Sequence, residues 1–175
     1  MMPDFFDLSY LGVGSPVQRQ GLEVIQKICV MEILSNFEPV LAGTLPLDVF
    51  IEGSDLDILC WSKDLNELDL LWSKEFGEYD DFEIHFHRSS SIPSLVASFT
   101  FREFKLELFG QSVPTREQVA YRHLVNEYLI LEKHDEQFKK EIIRLKRQGV
   151  KTEEAFAMLL NLPGDPFEAL LHHKP

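Results

Sequence analysis

The sequence predicts an α+β fold, a mixed β-sheet packed mainly on one face by helices and followed by a helical C-terminal segment. Helix starts are the clearest signal. Ser15, Asp64, Thr115 and Asp165 are each followed three positions on by Gln or Glu, the pattern in which a capping side chain and a reaching-back side chain satisfy the first free N–H groups of a helix. Short runs rich in β-branched and aromatic residues fill the middle of the chain, as strands require. The resulting order of helix, strands, helix, strands and helices suits a mixed sheet with helices laid on it.

Taken in order, the first helix is expected over 16–36, opened by Ser15 with Pro16 at its first position. Strands follow at 39–43, 47–52 and 55–61, then a helix at 65–76 after Asp64. Strands at 82–87, 96–102 and 104–110 come next, the last two joined at Glu103 as a tight hairpin or as one bent strand. A long helical pattern covers 116–147; beyond Glu132 it is largely charged and reads as a solvated outer helix. Helices from about Thr152 and over 166–172 close the chain. The 175 residues, 45% hydrophobic and 26% charged, suit one domain. Within it, 1–112 forms the sheet core and 113–175 a helical segment packed on it.

Composition narrows the function. A net charge of −12 repels phosphate backbones, so long nucleic acid is not an expected partner. The first ten residues, "MMPDFFDLSY", are acidic where a signal peptide is basic. No apolar run reaches the ~18 residues that cross a bilayer, so no membrane partner is expected and the expected location is cytoplasmic. Cys29 and Cys60 sit in apolar stretches without zinc-finger spacing and read as buried, reduced thiols.

One stretch departs from an ordinary core. In "AGTLPLDVFIEGSDLDILCWS" the aspartates Asp55 and Asp57 interrupt an apolar run, twelve and more positions after Gly43-Thr44. On a strand, residues 55 and 57 share a face while Leu56 and Ile58 take the other. Two neighbouring carboxylates resist joint ionisation, and a hard divalent cation carrying phosphate relieves that cost. A glycine leaving a strand, with a hydroxyl beside it, offers N–H and O–H donors to the same phosphate.

Gly43, Thr44, Ser54, Asp55 and Asp57 resemble the signature of the nucleotidyltransferase superfamily with a DNA polymerase beta-like palm: Gly-Ser or Gly-Gly, roughly ten residues, then Asp-hydrophobic-Asp. More closely, "GTLPLDV", "GSDLDILC", "ELFGQ", "QVAYRHLVNE" and "KTEEAFAMLLNLPGDPFEALL" resemble an uncharacterised bacterial family of single-domain nucleotidyltransferase-like proteins. The resemblance implies a nucleotidyltransferase-type sheet and a magnesium site, two Mg²⁺ ions with Mn²⁺ as an alternative, held by Asp55, Asp57 and a third acid. Glu107 in "FKLELFG" is the candidate, polar among apolar neighbours, with Glu83 the runner-up. It also implies a nucleoside triphosphate, gripped by Gly43, Thr44 and Ser54 and by cations such as Lys105 and Arg122, and transfer of its nucleotidyl group to a hydroxyl of a small molecule or protein. The acceptor itself is not identified.

The chain departs from that pattern in one respect. Between Thr44 and Asp55 it carries no Arg or Lys and adds Asp48 and Glu52. Positive charge has to come from Lys63, Arg102, Lys105 or Arg122. This opens a second reading, a catalytically inactive nucleotide- or metabolite-binding module on the same fold; acidity alone suggests a third, a protein-interaction partner. Elsewhere, His85 and His87 share a face with Glu83 and read either as transition-metal ligands or as ordinary polar positions of a half-exposed strand. Gln118, Tyr121 and Arg122 share a helix face and read equally as base or phosphate binders and as solvent-facing residues. His123 reads as a packing residue.

Overall fold

The computed structural model describes residues 2–87 and 92–174. Helices α1 (Ser9–Gly12), α2 (Pro16–Lys27) and α3 (Val30–Ile33) and a 3₁₀ turn (Ser35–Phe37) lead into strands β1 (Val40–Ala42) and β2 (Leu56–Trp61). Helix α4 (Leu65–Phe76) precedes β3 (Asp80–His87), β4 (Ser94–Phe101) and β5 (Phe104–Gln111). A second 3₁₀ turn (Thr115–Glu117) leads into α5 (Val119–Lys133), α6 (Glu136–Arg147), α7 (Thr152–Leu159) and α8 (Pro166–His172).

The strands form one sheet in the order β1-β2-β5-β4-β3. Among the described residues only β2 and β5 pair in parallel. The β4–β5 connection is a hairpin, with Phe101 opposite Phe104 and Arg102 in a left-handed conformation at the turn. Alternation then assigns the faces. Leu56, Ile58 and Cys60 of β2 and Leu106 and Leu108 of β5 pack in one core with Val24 and Ile25 of α2 and Leu68, Trp72 and Phe76 of α4. Val40 and Ala42 of β1 and Leu59 of β2 face the other way, into a second core built with Leu124 and Ile130 of α5, Ile142 and Leu145 of α6, Phe156 of α7 and Leu170 of α8. The β3 end of that second face stays open, with Glu83, His85 and His87 exposed.

Local chemistry explains where the elements begin. Ser15 accepts a hydrogen bond from the Gln18 amide while Gln18 Oε1 accepts from the Ser15 amide, a closed capping box. Asp64, Asp135 and Asp165 cap α4, α6 and α8 through their carboxylates.

Four expectations need correction. The helix expected over 16–36 breaks at Cys29, whose φ of 53° turns the chain so that Ile28 and Val30 both reach the core. That turn leaves Cys29 exposed, not buried. Residues 47–52 are not a strand: Thr44 O accepts from the Val49 amide and Leu45 O from the Asp48 amide, and Asp48 is left-handed at φ 55°. Its alternating Leu45, Leu47 and Val49 are plugs of a looped segment, each buried by tertiary contact. Asp48 ties the loop down by accepting from Ser15 Oγ and pairing with Lys139 Nζ at 2.5 Å. The long pattern 116–147 splits at His134, where Asp135 starts α6, and α6 is not merely solvated: Ile142, Leu145 and Lys146 are buried on the second core. Among the described residues no helix is long and apolar enough to cross a membrane.

Candidate active site

The strand register brings the acids together. Asp57 sits in β2 with Ala42 of β1 opposite on one side and Glu107 of β5 on the other. Because even-numbered residues of both strands fill the first core, Asp57 and Glu107 share the opposite face, one strand spacing apart. Asp55 lies in the turn just before β2, and Lys105 Nζ is 3.2 Å from its Oδ2.

Gly43 follows the last residue of β1 with φ +67°, and a Cβ built there would collide with Asp57 Oδ2. Glycine is thus required twice, by conformation and by space, and it lays backbone directly against the carboxylate. Next to it, the Thr44 hydroxyl is buried without a hydrogen-bond partner among the described residues. Such a group calls for a ligand or water to satisfy it. Ser54 Oγ accepts from the Ile51 amide at 3.3 Å and lines the same cleft.

The cleft has two chambers that share Thr44, Asp57, Glu107, Thr152 and Glu153. One, of about 660 Å³, is polar and adds Ser54, Asp55, Lys146 and Lys151. The other, of about 360 Å³, runs under the C-terminal helices between Leu59, Phe109, Ala120, Leu124 and Phe167 and reaches His123 and Glu127.

Burial, then Glu107 and Asp55, push the Asp57 carboxyl from 3.8 up to about 7, with Lys146 opposing. Burial and Asp55 push Glu107 up, with Lys105 and His87 opposing. Lys146 donates to Val49 O at 2.7 Å, and burial lowers its ammonium to about 8. Neither Asp57 nor Glu107 has an ion pair among the described residues. Their negative charge is therefore concentrated and only partly offset by Lys146, Lys105 and His87, and a dication would offset it further.

The donor set fits Mg²⁺ in its chemistry: oxygen-only, carboxylate-rich, open to a cleft wide enough for phosphates. It is not a closed shell. Among the described residues no three His, Cys, Asp or Glu side chains already stand as a metal cluster, and Asp55 Oδ2 is engaged by Lys105.

The other sequence candidates fall as follows. Lys105 is engaged with Asp55, which lines the polar chamber, but itself lines neither chamber. Arg122 is exposed and lines neither chamber. Gln118 is buried and donates to Cys60 O at 2.8 Å and Val113 O at 3.0 Å; Tyr121 packs on Phe6 and Arg116. Both therefore serve the fold. Glu83 pairs with Ser98 of β4, which pairs in turn with Glu107, so Glu83 stands two strands from Glu107 and lines neither chamber. His85 Nε2 is 3.5 Å from Glu83 Oε2 on the open face.

Sequence reading missed Lys146, Glu127 and Glu153 and took His123 for packing alone. Two signals were present. Glu127 interrupts the apolar series Leu124 and Ile130, and Lys146 follows Ile142 by four, so each charge rides a buried stripe.

The fold is of nucleotidyltransferase type. The structure of a cytoplasmic RNA terminal U-transferase superposes with a TM-score of 0.51 at 18% identity, over 73% of this chain and 38% of that one. Cid1, described by its RNA terminal uridylyl transferase activity, superposes at 0.55 with 18% identity, over 75% of this chain and 41% of that one. Cid1 poly(U) polymerase with Mg 3′-dATP bound gives 0.57 with 15% identity, over 89% and 48%. The chain spans less than half the length of each of these proteins, and identities this low speak for the fold alone. Curated proteins give no match. The chain belongs to the family described as Domain of unknown function (DUF4269), whose model matches residues 23–173.

Proposed function

We propose that this chain is a metal-dependent nucleotidyltransferase that moves a nucleotidyl group from a nucleoside triphosphate to a hydroxyl of a small molecule or protein. The observation that carries the reading is the side-by-side register of Asp57 and Glu107, with Asp55 beside them and the Gly43 backbone pressed against Asp57.

Asp55, Asp57 and Glu107 would hold one or two Mg²⁺ ions. When bound, Mg²⁺ supplies neutralisation of the phosphate charge that grows as the bond to the leaving group breaks. Thr44 Oγ1, the amides about Gly43 and Ser54, and Lys146 Nζ hold the phosphate chain in the polar chamber. Lys146 thereby supplies the positive charge that the segment between Thr44 and Asp55 lacks. The acceptor hydroxyl oxygen attacks the α-phosphorus, its proton passes to a Glu107 carboxylate oxygen, and pyrophosphate leaves. Covalent help is not needed; placement and charge balance are. The acidity of the chain, net −12, favours a small or protein acceptor over RNA, although the structural neighbours are named for RNA transfer.

The Asp55–Lys105 pair and the unclosed ligand shell favour one other reading, a nucleotide-binding module without turnover. Incubation with α-labelled triphosphates, Mg²⁺ or Mn²⁺ and candidate acceptors separates them. The nucleotidyltransferase reading expects labelled acceptor and pyrophosphate, both lost in Asp57→Asn and Glu107→Gln. Binding without product from any of the four triphosphates, with either metal, would support the module.

A further inference from the structure

The apolar chamber ends in polar groups that the transfer step leaves unused. Glu127 and His123 are 5% and 4% exposed, and both line that chamber. Among the described residues neither ring nitrogen of His123 has a hydrogen-bond partner; Glu127 Oε1 stands 3.7 Å from Nδ1. Glu127 makes no hydrogen bond of normal length with protein among the described residues. Buried polar groups left unpaired in this way are costly, and here both open onto a cavity of about 360 Å³, a size suited to a small ligand. The Phe167 ring lies 4.1 Å from the His123 ring and is 40% exposed, so it offers a flat surface against which a planar heterocycle can stack. The other end of the chamber is Thr44, Asp57 and Glu107, shared with the polar chamber. A ligand that fills both is flat and apolar at one end and anionic at the other.

On the nucleotidyltransferase reading, we propose that this chamber holds the base of the triphosphate and that Glu127 with His123 selects guanine. An imidazole N–H together with a carboxylate can offer one donor and two acceptors to a single ligand edge. Guanine presents the complement on its pairing edge: O6 accepts, N1–H and N2–H donate. A carboxylate takes two such N–H groups at once, and charge assistance strengthens both bonds. Adenine and cytosine each place a ring acceptor where guanine has N1–H, and uracil ends in a carbonyl oxygen where guanine has N2–H; against a carboxylate these are repulsive contacts. Burial favours a neutral imidazole at His123, which keeps one N–H and one free acceptor. Burial and Glu153 raise the proton affinity of Glu127, and Lys146 opposes them; bound guanine adds two donors on Lys146's side.

Titration of GTP, ATP, CTP and UTP with Mg²⁺ into the wild-type protein and into Glu127→Gln tests the assignment. GTP is expected to bind about tenfold or more tighter than the other three. Glu127→Gln, which exchanges one acceptor for a donor, removes that preference without weakening ATP. Phe167→Ala weakens all the triphosphates together, a control that reports stacking apart from edge recognition. UTP or ATP binding as tightly as GTP, or an unchanged GTP preference in Glu127→Gln, overturns the base assignment and leaves the transferase reading standing. Failure of every triphosphate to bind overturns both.

Discussion

Replacing Asp57 by asparagine removes a charge that the fold holds at a cost. The carboxyl rises from 3.8 to about 7 in the folded chain, through burial first and then Glu107 and Asp55. At about 1.4 kcal/mol per decade of proton affinity, keeping it ionised costs the native state up to about 4 kcal/mol. The sign follows from linkage. Between pH 3.8 and about 7 the native state holds a proton that the unfolded chain has released, so this contribution to stability falls as pH rises through that window and is flat above it. The asparagine side chain cannot titrate and fits the same space, with the Gly43 backbone still against it. Denaturant unfolding of wild type and Asp57→Asn at pH 5 and pH 8, without metal, measures the effect. The variant is expected to be more stable by a few kcal/mol at pH 8, the gain shrinking toward pH 5, while nucleotidyl transfer is abolished. A variant less stable at pH 8 would mean that the carboxylate supports the fold and that its charge is fully offset.

Other outcomes follow from the same geometry. Gly43→Ala forces a Cβ into Asp57 Oδ2 at φ +67° and should lower stability by about 1–3 kcal/mol with loss of transfer, read by denaturant midpoint and product assay together. Lys146→Met keeps the buried stem but removes the ammonium, so triphosphate affinity should fall about tenfold in calorimetric titration. Because burial lowers Lys146 from 10.5 to about 8, wild type should gain stability relative to that variant between pH 8 and 10.5. Cys29 is exposed and Cys60 buried, with burial raising the Cys60 thiol; a thiol reagent should modify one cysteine in the native protein and two in denaturant.

Much of the fold lay in local chemistry, and that part was legible. Asp64 and Asp165 mark α4 and α8 because a capping carboxylate works within one turn of chain. Alternation placed Asp57 and Glu107 on polar faces of their strands, since the strand period acts residue by residue. The breaks at Cys29 and His134 were hidden because both neighbourhoods keep helical spacing, and tertiary burial of Val30 and of the α6 stripe decides the turn. Residues 47–52 alternate like a strand, yet Pro46 and the Asp48 ties to Ser15 and Lys139 hold them as a loop. That β5 lies beside β2 in parallel is a long-range choice no short window records. Lys146 and Glu127 escaped notice for a related reason: each looks like one more charge on a helix until the packing of α5 and α6 against the sheet gives it a cleft to face.

The most direct test is to locate Mn²⁺ through its anomalous scattering in crystals soaked with a non-hydrolysable guanosine triphosphate analogue. The expected map places the ion in contact with Asp57 and Glu107, Asp55 freed from Lys105, and the phosphates over Thr44. An occupied nucleotide with no ion at those carboxylates, or an ion bound elsewhere, would contradict the metal-dependent transferase.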